Sequence, residues 1–203
     1  MKRLAFAFLF LALACHKSET SDQTTAYATD TATTSTMVSN DTTGTNTGTG
    51  ATGGTASTLV DADKVFIMKA AQGGMAEVVL GSMAAQQGTD SGVKSFGTRM
   101  TNDHGKANDE LKALATNKGL ALPTELDAEA KKTQDELSKK SGEDFDKAYM
   151  DDMVKDHEKD VAEFQKESTS AQDPDLKAWV SKTLPTLQDH LKQAKEIAGK
   201  VSS

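Results

Sequence analysis

Two short stretches carry the same chemistry-bearing pair. "MTNDHGK" (Met100 to Lys106) and "MVKDHEK" (Met153 to Lys159) both read Met-x-x-Asp-His-x-Lys, 53 residues apart, in a chain with four histidines. Histidine titrates near neutral pH and is the commonest metal ligand. A third histidine, His190, lies further on, and Glu77 sits inside the apolar run "GGMAEVVLG". Glu77, His104, His157 and His190 brought together would be a ligand set for a divalent transition metal. An aspartate directly before a histidine points about 100° away around a helix. It therefore reaches a facing element: Asp103 would orient His157, and Asp156 would orient His104. Three readings stand side by side. The aspartates support metal ligands from behind, or they complete a buried polar network without metal, or they pair on the surface with Lys106 and Lys159 at i+3. No nucleophile–base arrangement accompanies them, since the single cysteine, Cys15, lies near the N-terminus.

Four long helices must position these groups. Residues 61–199 are rich in Ala, Lys, Glu, Asp, Leu and Met, and no stretch alternates like a strand. The periodicity predicts helices over 62–87, 90–118, 143–169 and 174–199, and a shorter one over 124–139. Lys118-Gly119 reads as a helix end. Pro123-Thr124 reads as the start of the short helix, with Asp127 in capping-box-like spacing. Ser141 and Asp173-Pro174 read as starts of the last two long helices. Val93, Phe96, Met100, His104, Ala107 and Leu111 form one stripe, and Phe145, Tyr149, Met153, His157, Val161 and Phe164 another. Glu77 shares a stripe with Phe66, Ala70, Gly73 and Leu80, while His190 is one step off its own. Glu77, His104 and His157 fall near their helix midpoints and His190 about one turn past, so one level can hold all four. Gly73-Gly74 suggests close approach of a neighbouring helix. Pro185 suggests a kink or a boundary between two short helices, one turn before His190.

Short links join the first two and the last two long helices, so each pair is an antiparallel hairpin. A connection of about 25 residues, containing the short helix, joins the hairpins. The expected fold is all-α: a ferritin-like four-helix bundle with a short extra helix in the long crossover.

The N-terminal part reads differently. Residues 1–14 have Lys2-Arg3, an apolar core from Leu4 to Ala14, and Ala12-Leu13-Ala14 before a cleavage point, as in a secretory signal peptide. Cys15 follows, in a position that resembles the bacterial lipobox, although Ala12 and Leu13 depart from its usual residues. Lipidation at Cys15 and ordinary cleavage leaving a free thiol are the two readings. Residues 15–60 are Thr-, Ser- and Gly-rich with few large apolar groups, a composition expected of a disordered tether. The chain carries a net charge of −7, nearly all of it beyond residue 60. An acidic domain without a basic patch excludes nucleic acid as the expected partner.

Four ordered blocks, "DKVFIMKAAQGGMAEVVLGSMAAQQ", "VKSFGTRMTNDHGKANDELKALATNKGLALP", "FDKAYMDDMVKDHEKDVAEFQKES" and "DPDLKAWVSKTLPTLQDHLKQAKEIA", resemble a bacterial exported family of unknown function. That family is often labelled putative outer membrane protein and placed in the ferritin-like grouping. The resemblance covers residues 61 to 199 and implies a ferritin-like bundle in an exported protein, without an activity. Di-iron ferritin-like enzymes use a Glu from each of two helices and Glu-x-x-His on the other two. Here Thr101, Val154 and Leu187 stand three residues before the histidines, so the oxygen-activating carboxylate cage is missing. The leading expectation is a non-enzymatic binding or structural domain on a lipid-anchored tether, in the periplasm or at the outer membrane. It would contact the membrane through its lipid and meet an envelope component as partner. The alternative is a metal-binding protein with a Glu/His site at the bundle centre.

Overall fold

The computed structural model describes residues 58–202, so the signal-peptide, Cys15 and tether expectations lie outside the described residues. Five helices follow in order: α1 (Asp61–Gln87), α2 (Ser91–Asn117), α3 (Ala128–Ser138), α4 (Gly142–Ser170) and α5 (Pro174–Val201). The described residues form no strand. α1 packs along α2 and α4 along α5, α2 also meets α5, and α1 and α4 touch less. This is the expected hairpin–crossover–hairpin bundle, with α3 in the crossover between α2 and α4. No helix of the described residues is long and apolar enough to cross a membrane.

Buried aspartates fix how the hairpins meet. Asp90 caps α2, accepting from the backbone N–H groups of Gly92 and Val93, and Asp173 caps α5, accepting from those of Asp175 and Leu176. Each capping residue is itself held by the opposite hairpin. Asp146 on α4 accepts from Thr89 and Asp90 N–H at 2.7–3.1 Å, and Asp63 on α1 accepts from Gln172 and Asp173 N–H. Backbone donors that two tight turns would bury unpaired are thus satisfied. At the end of α2, Gly119 adopts φ +70° and Leu120 N–H reaches back to the carbonyl of Ala115, as a glycine stop requires.

Local expectations change in four places. Asp127 is itself the cap of α3, accepting from Ala130 N–H, so that helix starts at Ala128 rather than at Thr124. Ser141 occupies the cap position of α4 but its side chain makes no capping bond. α5 runs unbroken through Pro185, not as two short helices. Pro185 and Ser181 are both exposed, so the carbonyl deprived of its helical partner lies on the water side. Finally, a side chain at Gly73 would meet nothing, and one at Gly74 would collide with the Asn108 side chain. The backbone approach of α1 to α2 lies further along, where a Cβ on Gly81 would come 2.7 Å from Gly97 O, and one on Gly97 2.5 Å from Gly81 O.

The apolar interior is in two parts. One cluster contains Phe66, Ile67, Leu111, Phe164, Trp179 and Val180, and the other Leu80, Phe96, Met100, Tyr149, Met153 and Ala194. Between them, each long helix contributes one ionisable residue: Glu77 from α1, His104 from α2, His157 from α4 and His190 from α5.

Candidate metal centre

All four of these side chains are buried, at 1% exposure for Glu77, 5% for His104 and 0% for His157 and His190. The three imidazole centroids lie 5.2–5.7 Å apart. One ring nitrogen from each histidine lies within 4.8 Å of the others. Glu77 joins them, its Oε2 2.8 Å from His104 Nδ1 and its Oε1 3.3 Å from His157 Nε2. Close in distance, these contacts are not aligned as hydrogen bonds: both Glu77 oxygens lack a hydrogen-bond partner.

Two of the histidines have their free nitrogen assigned by the partner of the other. His157 Nδ1 is 3.0 Å from the Met153 carbonyl, which only accepts, so Nδ1 carries the proton and Nε2 presents its lone pair. His190 Nε2 is 2.8 Å from Asp103 Oδ2, so Nε2–H donates and Nδ1 presents its lone pair. His104 Nε2, His157 Nε2 and His190 Nδ1 are all buried without a hydrogen-bond partner. Buried polar nitrogens are normally satisfied. Three at one level, beside an unsatisfied carboxylate, form a donor set that a transition metal would complete.

Distance supports the same chemistry. With metal–nitrogen bonds of about 2.0–2.1 Å, neighbouring ligand atoms of a tetrahedral shell are roughly 3.3 Å apart. The His157 Nε2 to Glu77 Oε1 spacing is 3.3 Å.

Burial keeps the layer neutral in the metal-free state. Desolvation pushes His104 and His190 down to about 4 and lowers His157, so all three are free bases at pH 7. Desolvation raises Glu77 to about 8, against the opposing attraction of His157.

The support of His190 differs from expectation. Asp103 holds His190, not His157, because it leaves α2 towards α5 rather than α4. Asp103 is in turn gripped by Arg99 Nε at 3.1 Å, while Arg99 also reaches Asp189 Oδ2 at 2.8 Å and Gln193 Oε1 at 2.9 Å. Burial would raise Asp103, but the hydrogen bonds from His190 and Arg99 prevail and lower it. Asp156 makes no hydrogen bond to His104; it lines a cavity instead. Surface pairing of Asp103 with Lys106 and of Asp156 with Lys159 does not occur among the described ion pairs. Arg99 and Asp189 were missing from the sequence-based candidate set. The signal was there, because Asp189-His190 is a third Asp-His pair, and Arg99 lies one helical turn before Asp103.

Two clefts reach the layer. The larger, about 480 Å³, opens beside Glu77, His104, Asp152, Asp156 and Asp160. The smaller, about 140 Å³, touches His104 and His190 between α2 and α5.

Residues 48–197 match a family described as a domain of unknown function, DUF4142. No curated protein matches. Among solved structures, a DUF305 fragment from Deinococcus radiodurans superposes with a TM-score of 0.62 at 13% identity, over 70% of this chain and 98% of that one. CopM in a Cu(I)-bound form superposes with a TM-score of 0.57 at 17% identity, over 66% and 93%. CopM in an Ag-bound form does so with 0.55 at 18%, over the same shares. At these identities the likeness is one of fold.

Proposed function

The chain belongs to the DUF4142 family, a domain of unknown function, and we propose that it is a metal-binding bundle whose central layer takes one divalent transition metal. The observation that carries this reading is the set of three buried imidazole nitrogens without partners, from three helices, beside an unpartnered Glu77. His104, His157 and His190 supply nitrogen ligands and Glu77 an oxygen, a mixture that suits Zn, Cu, Ni or Fe. The CopM structures bear Cu(I), Cu(II) or Ag, which makes copper a metal to try beside zinc. The role is binding rather than catalysis, with Asp103 and Met153 O as the groups that aim His190 and His157.

The test is elemental analysis of the untagged, chelator-treated protein after adding each metal, together with its melting temperature. One equivalent bound, stabilising by about 2.7 kcal/mol at a hundredfold excess over Kd, is expected. His104→Ala and His157→Ala should each abolish it, and Asp103→Ala should weaken it by about 10–100-fold. No stoichiometric metal and no rise in melting temperature would leave the layer as a structural polar network.

The location is part of the proposal. An exported protein with Cys15 lipidated would place this domain in the periplasm or at the outer membrane, on the tether of residues 15–60. The intact mass of the mature protein decides it: an unmodified N-terminus rejects the anchor.

A further inference from the structure

We infer that Glu77, Asp156 and Asp160 hold a second cation, of the oxygen-preferring divalent class, in the cleft between α1 and α4. Each offers a carboxylate oxygen within 4.8 Å of the other two. Asp156 and Asp160 stand one turn apart on α4 and face the same way. All three line the cavity of about 480 Å³.

The cluster does not stand on acidity alone. Glu77 is 1% exposed and neither of its oxygens has a hydrogen-bond partner. His104, whose buried Nε2 is equally unpartnered, lines the same cavity. Lys155 and Lys159 also line it and attract Asp156 from a distance, as Lys159 does Asp160, without closing an ion pair with either aspartate among the described residues. Three carboxylates this close, without hydrogen-bond donors, either share protons or take a cation in their place. Oxygen-only donors with room for water are the surroundings that Mg²⁺, Mn²⁺ and Ca²⁺ take.

The two donor sets divide by chemistry. Imidazole nitrogens favour a transition metal, and carboxylates a hard cation. Glu77 belongs to both: its two oxygens lie against His104 and His157, and one of them is also within 4.8 Å of a carboxylate oxygen of Asp156 and of Asp160. Asp152, one turn earlier on α4, and Glu129 on α3 also line the cleft. They extend the negative field outward, where it steers cations in. The second site goes beyond the histidine centre and shares only Glu77 with it.

Mn²⁺ is the probe. Chelator-treated full-length protein receives one equivalent of Zn²⁺ and is then titrated with Mn²⁺, free Mn²⁺ being read by electron paramagnetic resonance. The expected result is retained Zn²⁺ plus about one bound Mn²⁺. The paired substitution Asp156→Asn with Asp160→Asn should weaken Mn²⁺ more than about tenfold and leave Zn²⁺ in place. His104→Ala with His157→Ala should do the reverse. Asp160→Asn alone gives the same reading should the paired variant fail to fold. No Mn²⁺ saturation below about 1 mM, or equal affinity in the Asn variants, overturns the second site. Mn²⁺ binding that the Asn variants lose, in a protein that takes no Zn²⁺, upholds this site and rejects the histidine centre alone.

Discussion

At His157 the ring is fixed before any ligand arrives. Its Nδ1–H is spent on the Met153 carbonyl one turn back, leaving Nε2 directed at Glu77. Which residues face the centre was legible in the sequence, because a stripe of apolar neighbours every three or four positions places Glu77, His104 and His157 inside. Which partner each would find was not. The heading of Asp103 decides between α4 and α5 only once the helices are assembled, and it goes to α5. The layer makes stability depend on pH, and the sign follows from the shifts. Glu77 rises from 4.5 to about 8, so the folded protein keeps a proton that the unfolded chain has lost, and stability falls as pH rises between those values. Asp160, raised from 3.8 to about 8 by burial and the nearby Glu77, acts the same way. His104 and His190, lowered from 6.5 to about 4, destabilise as pH falls through that window. Above pH 6.5 only the carboxylate effect remains. Metal-free protein should therefore melt lower at pH 8 than at pH 6.5. Glu77→Gln should melt higher than the wild type at pH 8, by roughly 1–3 kcal/mol of stability, and equal it near pH 5. Calorimetry of chelator-treated samples measures both. A variant less stable than wild type at pH 8 would show instead that ionised Glu77 is held favourably by the histidines.

At the scale of the helix, small residues and caps decide where each layer falls. Gly81 and Gly97 let the backbones of α1 and α2 touch, and that contact lies close to the polar layer, between Leu80 and Met100 in sequence position. The sequence offered two adjacent glycines at 73–74 as the obvious contact, and missed this pair because its members are on different helices. Glycine spacing along one chain cannot reveal a contact made by two. The start of α5 was better marked, since Asp173 before Pro174 caps by local chemistry that neighbours do not change, whereas Asp127 was read inside α3 although it is the cap of that helix. Gly97→Ala should push α1 from α2, because the added carbon meets Gly81 O and Ala85 N at 2.5–2.7 Å, both backbone atoms. The expected loss is about 1–3 kcal/mol by chemical denaturation. Gly73→Ala, where nothing lies within 4 Å, should instead be neutral or slightly stabilising through helix propensity. Equal behaviour of the two substitutions would rule out the close approach at Gly97.

Across the whole molecule, the polar layer divides one bundle into two apolar clusters. All-α class, the hairpins and the crossover were legible because connection lengths constrain topology. The cleft between α1 and α4 was not, because it depends on how far two sequence-distant helices stand apart. A layer of four ionisable groups is a costly way to build a core. Removing one partner of a buried polar set strands the others, whereas replacing the whole set with apolar side chains of similar volume is often neutral or stabilising by about 1–4 kcal/mol. The joint substitution Glu77→Leu, His104→Leu, His157→Leu and His190→Leu therefore tests what the layer is for. If it exists for a ligand, the variant should melt higher than the metal-free wild type, keep a cooperative transition, and lose every response to added metal. If the layer holds the helices in register, the two apolar clusters would merge and slide. The variant would then keep its helical circular dichroism while its near-ultraviolet signal and sharp transition disappeared. The first outcome is expected, because Gly81 against Gly97 and the grips of Asp63 and Asp146 on the opposite turns already set the register without the central groups.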